Sequence, residues 1–319
     1  MAIFSTYGQN GKKLSFANWI SNISPEDTPF GSATGKESVK QTKYSWQCDS
    51  LAKASADNAV AEGSDAGEAV MKPTTEISNV TQILRKVVHV SDTADATDNY
   101  GRGKELMYQL SKAGAEIKRD LESSMLKNGP AVAGSAGSQV RKMGGFQALV
   151  GMSTGEAVNE TGHTGTEPDP DTGAVVVAKS GTAGTFTEAQ LFDLTGQLYL
   201  AGAKADTIMV HPKHSKFFSA LQEKDATRVR YFQNTKTIDL EVSTIVDPLG
   251  QKFSVVYNRF MPEDAVYIFN PSDWTQMVFR APKREELAKT GSSEKWMIEM
   301  EVGLRHRNPY ASAVLKLEV

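Results

Sequence analysis

Two strand-like runs separated by a segment too long to be a turn constrain this chain most. From Val39 the apolar residues recur with a period of two: Tyr44, Trp46 and Cys48 share one face, and Lys43, Ser45, Gln47 and Asp49 the other. The run Thr75–Val90 carries Ile77, Val80, Ile83, Leu84, Val87, Val88 and Val90 and reads as a second strand. Between them lie the 22 residues Leu51–Lys72, mostly alanine and small polar types, whereas a hairpin turn needs only about 2–5. The pattern predicts a long hairpin with an extended, mobile tip. An isolated hairpin is marginal in water, so this one needs a surface to lie on. Strands of ten residues or more would reach roughly 33 Å. The tip's few hydrophobes, Leu51, Val60, Val70 and Met71, are candidates to touch a neighbouring subunit.

The strongest helix signal covers 103–128. Leu106, Leu110, Ala113, Ile117, Leu121 and Met125 recur at intervals of three and four, and Glu116 can pair with Lys112 and Arg119 on the outer face. Asn128-Gly129-Pro130 ends it, and its length would be roughly 39 Å. Residues 1–35 form a polar arm with scattered anchors, Trp19 and Phe30 among them. Ser24-Pro25-Glu26-Asp27 has the composition of a helix start. Residues 151–185, rich in glycine, read as a loop. Beyond it Thr187-Glu188 opens a helix carrying Leu191, Leu194, Leu198 and Leu200, ended by Gly202. Thr207–Val210 is a short buried strand and Pro212–Leu221 a short helix. Strand patterns dominate from Thr235 to Arg280 and again in Lys295–Leu304 and Ala313–Val319. The fold class is α+β, with no internal repeat.

Composition removes several function classes. With 319 residues and a net charge of −3, the chain has no overall field to attract DNA. The 39% hydrophobic content is lean, which points to apolar burial against partners. A single cysteine, Cys48, rules out an internal disulfide framework and suits a reducing cytoplasm. It reads as an inert core or interface thiol. No signal-peptide pattern and no apolar run of about 20 residues is present, so a soluble protein without a membrane partner is expected.

The chemical motifs are weak, and no catalytic, cofactor or metal residues are assigned. His211 and His214 could share a helical face toward a metal, but Pro212 lies between them and no third ligand is near. The carboxylates around Asp169 and Asp171 lack calcium-loop spacing. A metal-dependent hydrolase built on these four residues is kept as an alternative. Gly151-Met152-Ser153-Thr154-Gly155 has the letters of a nucleophile elbow. Phe146–Val150 could supply the strand before it, but no helix pattern follows. Gly101-Arg102-Gly103-Lys104 reads as helix punctuation and not as a phosphate loop. Arg228, Arg230, Tyr231 and Phe232 mix charge and aromaticity and are assigned to a subunit contact rather than to single-stranded nucleic acid. An arm and a hairpin that cannot stabilise themselves are features of an assembling subunit.

The segments ISNISPEDTPFGS, YSWQCDSL with NAVAEG, TQILRKVVHVSDTADA, GKELMYQLSKAGAEIKRDLE and LAKTGSSEKWMIEMEVGLRHRNP resemble, in order, those of tailed-bacteriophage major capsid proteins of the Hong Kong 97 type. The resemblance spans most of the chain and matches least in 151–185. It implies an N-terminal arm (1–35), an extended loop (36–92), a peripheral domain with a spine helix (93–150 and 283–319) and a strand-rich axial domain (151–282). It also implies hexamers and pentamers forming an icosahedral head around double-stranded DNA. Portal, scaffold and decoration proteins would be its partners, with the scaffold a separate chain or a removed upstream segment. The protein would be found in the virion, and in the host cytoplasm before assembly. Lys53 and Lys72 lie in the extended loop, but no motif marks a cross-linking partner. An encapsulin-like compartment is an alternative on the same fold, and a tail or decoration protein is a more distant one.

Overall fold

The computed structural model describes residues 27–49, 51, 54–65, 67, 74–99, 103–135, 139–150, 175, 187–218 and 244–317. The helices are α1 (Pro29–Ala33), α2 (Asp92–Ala96), α3 (Glu105–Leu126), α4 (Phe146–Leu149) and α5 (Glu188–Leu200). The strands are β1 (Gly35–Ser38), β2 (Lys43–Cys48), β3 (Thr75–Val80), β4 (Gln82–Ser91), β5 (Thr207–Val210), β6 (Thr244–Val246), β7 (Lys252–Tyr257), β8 (Ala265–Phe269), β9 (Trp274–Leu287), β10 (Ser293–His306) and β11 (Ala313–Lys316). Mixed helix and sheet agree with the expected α+β class.

The described residues form two compact units. One holds Arg85–Ile117 and Lys283–Glu299; the other holds Asp27–Leu84, Lys118–Pro282 and Met300–Val319. The boundary falls inside α3, β4, β9 and β10 and not in a linker.

In the second unit a five-stranded sheet has the order β11-β8-β5-β7-β6. Every residue of β5 and β8 is buried, because both faces of these strands are covered. Ile208, Val210, Val266 and Ile268 face α5 through Leu191, Leu194 and Leu198. Met209, Tyr267 and Phe269 face a second cluster with Phe30, Phe146 and Trp274. Near-continuous apolar runs are what strands buried on both sides require. Thr187 and Gln190 make the capping box that starts α5. The turn after it contains Gly202 at φ +82°, where glycine avoids Cβ strain. Leu200, expected on the buried stripe, is 80% exposed instead, since the stripe ends at Leu198.

Within α3, Leu106, Leu110, Ala113, Ile117 and Met125 are buried as the spacing predicts. The helix is shorter than 103–128. Asp95 caps it by accepting from the Leu106 N–H (2.9 Å). Glu116 lies 4.0 Å from Lys112 and 3.8 Å from Lys86. Arg119 instead sits over the Phe260 ring at 5.7 Å. Leu121 is only half-buried, and the buried position beside it is Glu122. Ile117→Ala should therefore lower unfolding free energy by about 2–5 kcal/mol. Leu121→Ala should cost clearly less and exposed Lys118→Ala almost nothing, as urea titration of the unassembled subunit will measure.

The hairpin is more compact than expected. Antiparallel β2 and β3 pair over six residues, Lys43↔Val80 to Cys48↔Thr75, about 20 Å and not 33 Å. The run Thr75–Val90 is two strands, because Thr81 turns the chain. The Thr81 N–H donates to the Thr42 carbonyl (2.8 Å), and its hydroxyl donates to Glu301 (2.7 Å). β4 then joins the other sheet, of order β1-β9-β10-β4. The hairpin base belongs to the subunit core: Ile77 is buried, and Trp46 and Cys48 pack on the same cluster. The Tyr44 hydroxyl donates to the Leu304 carbonyl (2.9 Å). A Cβ on Gly303 would lie 2.2 Å from that hydroxyl, so only glycine fits beneath it.

Candidate assembly surfaces

The expected interface residues fall into three groups. Leu51 and Val60, on the hairpin tip, are 99% and 83% exposed. Every described residue between 51 and 67 is exposed, so these tip residues contribute nothing to their own subunit's core. Trp19, Val70, Met71, Arg228, Arg230, Tyr231 and Phe232 lie outside the described residues. Phe30 corrects the expectation: its ring is fully buried inside its own chain and offers no surface to a neighbour.

What holds Phe30 is a four-ring stack that no sequence pattern announces. Phe146 lies face to face with Tyr267 and with Trp274, each at 4.1 Å, and Trp274 stacks on His306 at 4.0 Å. Phe30 meets Phe146, Phe269 and Trp274 edge-on at 5.6–5.8 Å, the geometry ring quadrupoles favour. α1 enters this box because Pro29 suits a first helical position. The expected start at Ser24-Pro25-Glu26 lies outside the described residues.

Two buried carboxylates fasten the structure around the stack. Glu122 accepts from the backbone N–H groups of Phe30 (2.8 Å) and Gly31 (2.7 Å) and from the Asn258 amide (2.7 Å). Burial raises its pKa above the ordinary glutamate value even though these three donors oppose the shift. Glu301 accepts from Thr81, from Arg280 (2.9 Å) and from Arg141, whose Nε also donates to the Thr81 carbonyl (2.6 Å). These partners stand 21 to 220 residues from Glu301 in sequence, which puts them beyond the reach of any local pattern.

The two candidate histidines make structural bonds. His211 Nδ1 accepts from the Lys213 N–H (3.2 Å), and His214 Nε2 donates to the Glu263 carbonyl (2.7 Å). Asp169, Asp171 and Ser153 lie outside the described residues. Phe146–Leu149, before Ser153, is a buried helical turn and not the strand an elbow requires. Gly145 in front of it abuts the Lys127 carbonyl so closely that a Cβ would lie 1.9 Å away. Gly101 and Arg102 also lie outside, and the start of α3 is capped by Asp95. The Cys48 thiol, raised in pKa by burial, donates to the Arg307 carbonyl (3.3 Å). In the first unit a cleft of about 550 Å³ gathers Asp92, Asp95, Lys104, Lys289 and Glu294. Its charges pair with one another: Lys289 with Asp92 (3.6 Å) and Glu294 (3.4 Å), and Lys104 with Asp95 (3.8 Å). Among the described residues no helix is long and apolar enough to cross a membrane.

The sequence matches the family described as SU10 major capsid protein over residues 3–318. It is 56% identical to the major capsid protein of Escherichia phage Phieco32, over 98% of this chain and 96% of that protein. The fold resembles the capsid of cyanophage A-1(L), with a TM-score of 0.64, 11% identity and 98% and 97% of the two chains covered. It also resembles the capsid of the native GTA particle, with a TM-score of 0.63, 13% identity and again 98% and 97% covered. This places the α+β fold in the Hong Kong 97-type capsid class. The chain belongs to the SU10 major capsid protein family, a phage capsid component that builds the virion and is not an enzyme.

Proposed function

We propose that this capsid protein assembles into hexamers and pentamers that close into an icosahedral phage head around double-stranded DNA. The observation that carries the reading is the match to a phage major capsid protein over 98% of this chain and 96% of that protein. Near-neutral charge suits a shell that touches its DNA without sequence recognition. The chain divides into arm 1–35, extended loop 36–92, peripheral domain 93–150 with 283–319, and axial domain 151–282. Portal, scaffold and decoration proteins complete the set of partners, and the subunit waits in the host cytoplasm before assembly. Head-to-tail contacts that close by rotation give rings, and many moderate contacts per subunit stabilise the shell by avidity. Negative-stain electron microscopy of the overexpressed protein should show closed shells or capsomer rings. A compact monomer at all protein and salt concentrations would overturn the proposal.

In this reading the hairpin tip is an assembly element. Replacing Ala52–Met71 with a short Gly-Ser linker should leave helical circular dichroism and cooperative melting of the subunit intact, because the described tip residues are all exposed. The same variant should fail to form stable shells. Normal shells would exclude the role, and loss of subunit folding would show that the tip belongs to the core.

A further inference from the structure

One strand edge carries a charge pattern that complements itself. β1 covers the outer side of β9 only at Thr275–Val278, and the Val39 N–H donates to the Val278 carbonyl (3.0 Å). The N–H and C=O of one residue point to the same side of a strand, and the side alternates. From Val278 onward Arg280, Pro282, Arg284 and Glu286 therefore turn their backbone to this outer side, and the odd residues turn theirs to β10. Pro282 agrees, since its missing N–H falls on the side away from β10. Beyond Val278 no strand pairs with this side among the described residues. Ala281–Glu286 are all exposed, on both faces of the strand.

The exposed residues include Lys283-Arg284-Glu285-Glu286. Lys283 and Glu285 share one face and form an ion pair at 2.7 Å; Arg284 and Glu286 share the other. When two identical strands run antiparallel about a two-fold axis, outward-facing residues must oppose outward-facing ones. The axis then passes either Arg284 or Glu285. Centred on Arg284, each Lys283 opposes the other copy's Glu285. Centred on Glu285, each Arg284 opposes the other copy's Glu286. Opposite charges directly across a strand pair attract and like charges repel; in either register two flanking pairs attract, and only the residue on the axis, Arg284 or Glu285, faces its own copy. Charge and proline commonly keep an edge from pairing with unrelated strands; this sequence excludes apolar strands while matching its own reverse. We infer that two copies of the chain pair their β9 edges antiparallel across a two-fold axis, through Lys283–Glu286. The inference rests on the shell reading and names one contact within it.

Cys48 is the only cysteine, so a Cys48→Ser chain gives a clean background. Arg284→Cys and Glu285→Cys are added singly. Residues directly opposite have Cα atoms about 4.5–5.5 Å apart, inside the roughly 4.4–6.8 Å span of a disulfide. Purified shells are oxidised and run on a non-reducing gel, with exposed Lys295→Cys on β10 as control. One of the two variants should run largely as a covalent dimer and the control should not. Lys283→Glu alone should reduce shell yield. Adding Glu285→Lys should restore it if the axis passes Arg284; Arg284→Glu with Glu286→Arg is the matching pair for the other register. Shells without dimers in either variant overturn the inference. It fails equally if the cysteine variants do not assemble and neither charge exchange restores yield, the result expected if residues 1–26 of the same chain occupied the edge. A wild-type chain that forms no shells at all defeats the parent reading instead.

Discussion

Glu122→Ala should be among the most destabilising single substitutions in the subunit, lowering unfolding free energy by about 3 kcal/mol or more. The carboxylate takes hydrogen bonds from the backbone of Phe30 and Gly31 and from Asn258. Alanine leaves all three donors buried without a partner, at about 1–3 kcal/mol each. Part of this is offset, because the buried charge whose pKa is raised is itself removed. Glu122→Gln should be milder than alanine. It keeps one acceptor oxygen but turns an NH2 group toward a backbone N–H. The effect is also local, since this side chain ties the α1 backbone to α3. Amide exchange at Phe30 and Gly31 should accelerate in Glu122→Ala well beyond what global destabilisation gives. Unchanged denaturation midpoints and unchanged exchange at these two amides would show that the clasp does not matter.

Sequence patterns reveal what depends on local periodicity and miss what depends on distant partners. α3, α5, β5 and the strands from β7 onward follow from spacing alone, because each buries one stripe or both faces. The corner at Thr81 is not legible. The apolar run continues on both sides of it, and the turn is fixed by Thr42 and by Glu301, 220 residues on. Leu121 and Glu122 show the same limit. Spacing puts Leu121 on the stripe, but the surface that α1 and Asn258 present at that point calls for a carboxylate. Phe30 reads as an arm residue for a neighbour because its own partners, at 146, 269 and 274, come from three remote segments. Of the assembly surface, only the exposure of the tip at Leu51 and Val60 is foreseeable, as that rests on poverty in large apolar residues and needs no partner.

Acid should destabilise the wild-type subunit through His306, and a His306→Phe variant should lose that sensitivity. The ring is completely buried, stacked on Trp274, with Nδ1–H donating to the Leu149 carbonyl (3.2 Å) and Nε2 accepting from the Ser312 hydroxyl (2.9 Å). The Ser312 oxygen in turn accepts from the Trp274 indole (3.2 Å). A protonated ring would turn a second N–H toward Ser312 and carry an unpaired charge in the core, so burial lowers its pKa to about 3. In the unfolded chain it protonates near 6.5. Above about pH 6.5 both states hold a neutral ring and the contribution is constant. Below it the unfolded state binds the extra proton, so stability falls by up to about 1.4 kcal/mol per pH unit until the folded ring also protonates near 3. Glu122 acts in the opposite sense, its raised pKa removing stability as pH rises above the ordinary glutamate value, so only the difference between variant and wild type isolates His306. Phenylalanine preserves the stack but strands the Leu149 carbonyl and the Ser312 hydroxyl, at about 1–3 kcal/mol each near neutrality. Urea titrations at intervals between pH 7.5 and 4 should then show the variant's deficit shrinking steadily toward acid. Parallel curves across that range would mean that His306 does not carry the acid response.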